Sequence, residues 1–151
     1  MEIQFDDPRR SDVLALLEEH LADMFATSPP ESVHALDPDA LAAPAISFWT
    51  AREEGLLLGC VALNRLSDDH VELKSMRTAT EARRRGVAGR LLDHVLLEAR
   101  RRGHVRMSLE TGVEDYFAPA RTLYATRGFV LCDPFEGYVL DPNSVFLTLA
   151  L

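Results

Sequence analysis

Residues 81–95, EARRRGVAGRLLDHV, place three consecutive arginines directly before a glycine and an apolar, helix-like run. The first turn of a helix has backbone N–H groups without intrahelical partners and carries the positive end of the helix dipole. Gly86 and the small residues that follow at 88 and 89 let the backbone approach a ligand closely. This junction could therefore hold a phosphate or pyrophosphate, with Arg83, Arg84 and Arg85 around it.

Two common phosphate-binding loops are absent from this stretch. The chain contains no GxxxxGK(S/T) sequence, and no GxGxxG follows a predicted strand here. Those loops hold the phosphates of hydrolysed nucleotides and of dinucleotides, respectively. Nucleotide hydrolysis and dinucleotide binding therefore lose most of their support.

Charge is unevenly distributed along the chain. The formal net charge is −8, yet nine arginines and three acidic residues between Arg77 and Arg106 give that segment a charge of +6 and leave −14 for the rest. The negative total argues against a general nucleic-acid-binding protein. The segregation indicates that one region receives an anion while the remainder attracts a cationic partner. The alternative is that the arginines only solvate an exposed helix face.

Length and composition predict a single domain over residues 1–151. With 47% hydrophobic and 26% charged residues, the chain can bury a core without disulfide or metal support. No apolar run approaches the roughly 18 residues of a membrane span, and the first ten residues lack a signal peptide's apolar segment, so we expect a cytoplasmic protein without membrane association. Cys60 and Cys132 are expected to be reduced core residues. The histidines at 20, 70, 94 and 104 show no metal-ligand spacing, so no metal site is predicted.

The apolar pattern predicts alternating strands and helices. Strands are expected at 2–5, in a hairpin that starts at 46 and turns at 53–55, at 70–78, at 105–111, from 129, and in the final run 144–151. Helices are expected from 11 or 12 to about 27, at 87–102 and at 118–126. Residues 28–45 contain four prolines and are expected to form an ordered loop with a short helical piece at 39–42. This order predicts an α/β (α+β) sandwich with a mixed sheet.

The first helix should bury one apolar face. Its spacing predicts a stripe formed by Val13, Leu14, Leu17, Leu21 and either Met24 or Phe25.

The loop and a second segment together resemble the GNAT superfamily of N-acetyltransferases. Residues 83–88, RRRGVA, match the superfamily's R/Q-x-x-G-x-G/A signature, and ARTLYATRGF at 120–129 is similar to its A-x-x-L-Y-x-x-x-G-F segment. The order of the elements is similar as well, so the resemblance covers nearly the whole chain. ELKSMRT, SLETG and PFEGY…DPNSVFL further resemble a bacterial subgroup of small, mostly uncharacterised acetyltransferases, without identifying a substrate.

This resemblance implies the GNAT fold, with a mixed central sheet, two splayed strands and helices on both faces. It also implies acetyl-coenzyme A as the cosubstrate. The pyrophosphate would lie on the amides of residues 84–89, and the pantetheine arm would follow the strand that ends at Met76 and Arg77, next to strand 105–111. The implied cofactor-binding residues are Met76, Arg77, Arg83, Arg84, Arg85, Gly86, Val87, Ala88 and Gly89.

The loop departs from the commonest family pattern at two positions. Arg84 stands where glycine is frequent, and Ala88 is the permitted alternative to glycine. An arginine is tolerated there only at negative φ, so a positive φ at Arg84 would change the expected shape of the loop but not its place.

Acetyl transfer to an amine needs a base for the ammonium proton and an acid for the departing thiolate. The resemblance implies Glu72 as the base, Tyr124 as the acid and the backbone N–H of Met76 as the oxyanion donor. Each side chain also has a purely structural interpretation: Glu72 as a strand carboxylate paired with Lys74 or an arginine, and Tyr124 as core filling. His34 and Glu110 are expected to line the acceptor pocket.

The predicted function is direct transfer of an acetyl group from acetyl-coenzyme A to a primary amine in a ternary complex. A small metabolite, an amino acid or a polyamine is favoured over a protein lysine or N-terminus. The alternatives are a coenzyme-A-binding sensor or partner domain without turnover, and a different acyl donor such as succinyl-coenzyme A. Nothing in the sequence decides between a monomer and a homodimer.

Overall fold

A single mixed sheet of seven strands forms the centre of the computed structural model, which describes residues 1–35 and 37–151. The spatial order is β1-β2-β3-β4-β5-β7-β6, and every neighbouring pair is antiparallel except β4 and β5. The strands are β1 (Glu2–Phe5), β2 (Ile46–Glu53), β3 (Leu56–Arg65), β4 (His70–Thr78), β5 (Arg106–Gly112), β6 (Val130–Leu131) and β7 (Ser144–Ala150). The predicted mixed sheet is confirmed.

Four helices accompany the sheet within the described residues. They are α1 (Ser11–Thr27), α2 (Pro38–Leu41), α3 (Val87–Arg101) and α4 (Ala118–Thr126). Their bounds agree with the sequence-based expectations to within one residue, and short 3-10 turns at Pro30–Ser32, Thr80–Ala82 and Asp115–Phe117 were not anticipated. The loop predicted over 28–45 is otherwise as expected, and its residue 36 lies outside the described residues.

Helices cover both faces of the sheet, as predicted. Because successive strand residues point to opposite faces, Trp49 and Val61 pack in one core with α3 and α4. Phe48 and Cys60 pack in a second core with α1 and α2. Cys60 is therefore a core residue, whereas the prediction was wrong for Cys132, which is only partly buried because it follows the short edge strand β6.

The apolar stripe of α1 differs from the predicted one. Val13, Leu16 and Leu17 are buried, while Leu21 is 37% and Phe25 is 50% exposed. The first half of the helix packs on the sheet, but its last two turns border a cavity through His20 and Met24. The periodicity alone could not reveal that the partner of the helix changes along its length.

The parallel pair β4–β5 separates after three residue pairs. Its register runs from His70 opposite Arg106 to Glu72 opposite Ser108. Beyond that point β4 continues with β3, and β5 continues with β7 as far as Gly112. The two strands therefore splay apart and leave a cleft between their C-terminal halves.

A bulge in β4 lies where the strands have separated. Cys60 of β3 pairs with Arg77, and Ala62 pairs with Lys74. The chain therefore advances three residues on β4 but only two on β3, so β4 carries one extra residue. Ser75 takes a φ of 54° within the bulge. Ser75 and Met76 consequently have no partner in the register, and the strand turns its edge toward the cleft.

Glycine at position 59 lets α3 approach the sheet closely. A Cβ there would lie 2.7 Å from the carbonyl oxygen of Arg77 and 3.1 Å from Cγ1 of Val87. Real Cβ atoms do not come that close to a backbone oxygen, so only glycine fits without a shift of the backbone. Gly59 thereby brings the first turn of α3 beside the end of β4.

A buried carboxylate ties α1 to the sheet. Asp6, 4% exposed at its side chain, accepts hydrogen bonds from Thr50 (2.7 Å) and Arg52 (3.0 Å), and Arg52 also binds Asp12 in the first turn of α1 (2.7 Å). Burial acts to raise the pKa of Asp6, but hydrogen bonds from Thr50, from a backbone N–H and from two arginines lower it to about 2.

Replacing this carboxylate should produce a pH-dependent loss of stability. We expect Asp6→Asn to lower the free energy of unfolding by about 2 kcal/mol at pH 7, since the pKa falls from 3.8 to about 2 on folding. The stabilisation is complete above the unfolded pKa and is lost as the pH falls through the folded one, so urea denaturation of the two proteins should converge toward pH 2. Asp7→Asn, at the exposed neighbouring carboxylate, is the control. A difference that is the same at pH 7 and pH 2 would contradict this account.

Candidate active site

Six successive backbone N–H groups are available at the loop before α3. The N–H groups of residues 84–89 donate no hydrogen bond to any described residue, and the first bond of the helix runs from the N–H of Arg90 to the carbonyl of Gly86 (3.1 Å). Gly86 precedes the helix in the left-handed conformation, with φ 78°. The loop thus has free N–H groups and a left-handed glycine, as expected for an anion site.

Arg84 does not have the negative φ that an arginine was expected to need at this position. Its φ is +66°, in the left-handed region. An L-residue there is strained by about 1–2 kcal/mol, which explains why glycine is frequent at this position. The loop therefore contains two left-handed residues, Arg84 and Gly86, and its place in the fold is unchanged.

The arginine side chains around the loop have different partners. Arg83 and Arg84 line the cleft, whereas the guanidinium of Arg85 is paired with Glu53 at the end of β2. The structure therefore does not bring all three guanidinium groups together around one anion.

Arg77 lines the cleft, but its guanidinium is already engaged. It binds Glu19 (2.8 Å) and Asp23 (2.7 Å) of α1 and the hydroxyl of Tyr116. This group joins β4 to α1, so only the backbone of Arg77 is available to a ligand in the way the family resemblance implies.

A cleft of about 570 Å³ lies between the loop, the end of β4 and α4. It is bordered by the loop at one end and by Tyr124 at the other. Its lining consists of His20, Met76, Arg77, Thr78, Arg83, Arg84, Gly86, Val87, Ala88, Gly89, Tyr116, Phe117, Pro119, Ala120, Leu123 and Tyr124. Nearly all the predicted cofactor-binding residues thus face one volume.

A second, smaller cavity of about 100 Å³ adjoins the cleft. The two volumes share five lining residues, which are His20, Met76, Phe117, Ala120 and Tyr124. The cavity also contains Glu72, Lys74, Glu110, His34 and Tyr138. The structure therefore places the predicted catalytic and acceptor residues around one cavity, which opens onto the cleft near Met76.

Glu72 is buried and fully hydrogen-bonded. Its carboxylate is 4% exposed and accepts from the Tyr138 hydroxyl (2.6 Å), the Asn64 amide (3.2 Å) and the Lys74 ammonium (3.4 Å). Lys74 also donates to Tyr138 (3.0 Å) and to the carbonyl of His34 (3.2 Å), so all three of its protons are used. This arrangement corresponds to the structural alternative for Glu72, and its catalytic role stays a prediction.

Glu110, on β5, has a different environment. One carboxylate oxygen accepts from the Ser144 hydroxyl (2.8 Å), and no described residue forms an ion pair with it. Burial raises the pKa of Glu110, which the hydrogen bond from Ser144 and the charges of His34 and Lys74 only partly offset. The result is a partly buried carboxylate that has no positively charged partner in hydrogen-bond contact among the described residues.

Tyr124 lines the same cavity as this carboxylate. Tyr124 is 5% exposed, and burial together with the negative charge of Glu110 raises its pKa above the usual range. Its hydroxyl has no hydrogen-bond partner among the described residues. Tyr124 therefore remains a protonated phenol that can donate to a ligand.

Two residues of the cavity were not anticipated from the sequence. Tyr138 follows a tight turn in which Glu136 (φ 44°) and Gly137 (φ 84°) are both left-handed, and this turn places its ring edge-on to His34, 5.1 Å away. The EG dipeptide is a turn signal, but nothing in it indicates that the next side chain reaches Glu72.

The other unanticipated residue is His20 of α1. It lines both the cleft and the cavity, and its Nδ1 is buried without a partner among the described residues. Burial and, to a lesser extent, the charge of Arg77 lower its pKa to about 4, so the imidazole is neutral at pH 7. A histidine on an amphipathic helix carries no sequence signal that separates this position from a surface one.

The described residues contain neither a metal-binding cluster nor a membrane-spanning helix. Between residues 1–35 and 37–151 no cluster of three histidine, cysteine, aspartate or glutamate side chains could hold a metal ion. No helix in the same ranges has the length and hydropathy needed to cross a bilayer. Cys60 is an unreactive thiol, since burial raises its pKa to about 12.

The chain belongs to the acetyltransferase (GNAT) family, whose model matches residues 13–129. YsnE of Bacillus subtilis, described as an uncharacterized N-acetyltransferase, is 49% identical over 151 residues and covers 100% of both chains. YedL of Escherichia coli, described in the same words, is 47% identical over 99% of this chain and 94% of its own. An IAA acetyltransferase of Azospirillum brasilense is 37% identical over 94% of this chain and 92% of its own.

Solved structures agree with the fold. A Klebsiella pneumoniae protein whose name suggests an acyl-CoA N-acyltransferase superimposes with a TM-score of 0.81, at 24% identity over 99% of this chain and 97% of its own. A GNAT acetyltransferase of Elizabethkingia anophelis, crystallised with acetyl-CoA, superimposes with a TM-score of 0.72. It is 18% identical over 99% of this chain and 97% of its own. Family membership confirms the predicted enzyme class, an acetyltransferase with acetyl-coenzyme A as cosubstrate.

The strain at Arg84 can be measured separately from its charge. Arg84→Gly and Arg84→Ala both remove the guanidinium, but only glycine relieves the positive φ. We expect Arg84→Gly to be more stable to urea than Arg84→Ala by about 1 kcal/mol.

The same pair of substitutions at Arg85 is the matched control, since its φ is not positive and glycine should there be the less stable variant. Equal stability of the two Arg84 variants would contradict the left-handed assignment.

Proposed function

We propose that this acetyltransferase transfers the acetyl group of acetyl-coenzyme A to the primary amine of a small molecule, by direct attack in a ternary complex. The observation that carries the proposal is the junction of two volumes at Met76 and Tyr124. One is a long cleft that begins at six free N–H groups, and the other is a small cavity that contains two carboxylates.

The donor fits the cleft in one direction. The pyrophosphate would lie on the N–H groups of residues 84–89, where the helix dipole favours an anion, with Arg83 and Arg84 beside it. The pantetheine arm would follow the edge of β4 that faces β5, because the two strands are not paired beyond Glu72. The thioester would then lie at Met76, whose N–H lies in the bulge and could donate to the developing oxyanion.

An acid for the thiolate is available at the same junction. Tyr124 lines both volumes and keeps its proton, because burial and Glu110 raise its pKa. The hydroxyl can protonate the coenzyme A sulfur as the C–S bond breaks. The proton of the ammonium must go to one of the two cavity carboxylates, Glu72 or Glu110.

The size of the cavity supports a small acceptor. A volume of about 100 Å³ admits a slender amine, and the cavity is walled by α1, by residues 28–35 and by Tyr138. Its two carboxylates favour a cationic group. A protein lysine or N-terminus would have to enter between the same walls with the rest of the protein attached. We therefore consider a protein acceptor less favoured than a small amine.

The junction also supports acetyl as the acyl group. Among the described residues, the five that line both volumes include no lysine or arginine that could pair with a succinyl carboxylate. His20 is neutral at this point, and the protons of Lys74 are already used. A short apolar acyl group is therefore the better fit.

We infer a cytoplasmic enzyme of one domain, as a monomer or a homodimer, that acts on a small molecule and not on nucleic acid.

Thiol release from acetyl-coenzyme A, measured with a panel of small amines, amino acids and polyamines, tests the function. We expect at least one acceptor to support turnover, and Tyr124→Phe to lower kcat by about 100-fold while the coenzyme A affinity measured by calorimetry is unchanged. IAA joins the panel because one relative carries that name.

The alternative is a coenzyme-A-binding sensor without turnover. Binding of coenzyme A without thiol release for any acceptor would favour the sensor. Absence of any binding would contradict both.

A further inference from the structure

We propose that Glu110, rather than Glu72, is the general base that takes the proton from the acceptor amine. This inference rests on the proposed function and assigns the role that it left open between two carboxylates. The two lie on the strands that splay apart, Glu72 on β4 and Glu110 on β5, and both face the same cavity.

The hydrogen bonds of Glu72 leave it little capacity as a base. Tyr138, Asn64 and Lys74 all donate to it, and Lys74 supplies a compensating positive charge. A proton added to Glu72 would displace one of these donors and leave the ammonium of Lys74 buried without its counter-charge, which is costly. Glu72 therefore serves to orient Tyr138 and Lys74 in the cavity wall.

Glu110 has the opposite properties. It has one hydrogen bond, from Ser144, and no ion pair with any described residue, so a carboxylate with spare capacity faces the cavity. A partly buried carboxylate without a cationic partner is poorly solvated, and it is stabilised when an ammonium enters beside it. Because burial raises the pKa of Glu110, it is also a stronger base than an exposed glutamate.

Glu110 shares its cavity with Tyr124, the proposed acid. Tyr124 also lines the cleft that the cavity adjoins. The negative charge of Glu110 contributes to the raised pKa of Tyr124. Acyl transfer requires a base for the amine proton and an acid for the leaving sulfur. Glu110 would be the base and Tyr124 the acid, since their environments give them different pKa values.

The three protons of the acceptor ammonium have different destinations in the proposed transfer. The acceptor enters as an ammonium, and Glu110 takes one proton from it. The nitrogen lone pair forms the C–N bond, the C–S bond breaks, and the sulfur leaves with the electron pair and takes the hydroxyl proton of Tyr124. The second nitrogen proton returns to the Tyr124 oxygen, the amide keeps the third, and Glu110 releases its proton to solvent.

The pH dependence should identify the base. Glu110 is faced by His34 from the loop before α2, Lys74 from β4, Asp141 from the loop before β7 and Tyr124 from α4. A base must be unprotonated, so kcat/KM should fall on the acidic side with a midpoint above that of an ordinary glutamate. Ser144→Ala removes a hydrogen bond that lowers the pKa of Glu110, and should therefore shift this midpoint to higher pH.

The deciding experiment compares Glu110→Gln with Glu72→Gln, using the best amine of the panel. We expect Glu110→Gln to lower kcat/KM by 100-fold or more and to remove the acidic limb of the pH profile. Glu72→Gln should lower kcat/KM by less than tenfold, since its amide oxygen still accepts from Tyr138, and the loss of the counter-charge of Lys74 should appear in the urea midpoint instead. Coenzyme A affinity and the urea midpoint establish that each variant is folded.

The reverse order, equal losses, or an acidic limb that Ser144→Ala does not move would overturn the assignment of Glu110. Absence of thiol release from the unsubstituted protein with every acceptor would instead overturn the proposed function.

Discussion

The separation of β4 from β5 is the constraint on which the other features of the site depend. A parallel pair normally satisfies the backbone groups of both strands along its length, and here it stops after Glu72. The freed edge of β4 and the N–H groups before α3 then border the same cleft, because Gly59 lets the helix lie close to that edge. A bulge at Ser75 turns the strand toward the opening. Backbone N–H groups that must bind water or a ligand are thereby brought together along this cleft.

Charge is arranged around this opening in two different ways. Side chains that shape the walls are paired with one another: Arg77 with Glu19 and Asp23, and Glu72 with Lys74. These pairs are buried or partly buried, so the removal of one partner would leave an uncompensated charge. Groups that face the reacting centre are unpaired instead. Structural and reactive side chains of the cavity therefore differ in whether they are paired, and not in residue type.

The elements and the anion loop could be predicted because their signals are local. Helical spacing, turn glycines and strand alternation located all four helices and the sheet to within a few residues, and the motif at 83–88 located the loop. The packing direction of α1 was missed, since Leu21 and Phe25 have the spacing of buried residues but lie beyond the sheet. The sequence left the sign of φ at Arg84 open, because φ depends on how the loop closes between two fixed ends.

The sequence by itself determined the fold class, the family and the place of the phosphate-binding loop, because these follow from patterns among neighbouring residues. The tertiary structure decided which carboxylate is neutralised and which is free. Glu72 and Lys74 are near one another in the chain, but Tyr138 and Ser144 come from distant segments, and their hydrogen bonds distinguish Glu72 from Glu110. Proton affinity depends on burial and on such non-local partners, so it is a property of the folded molecule.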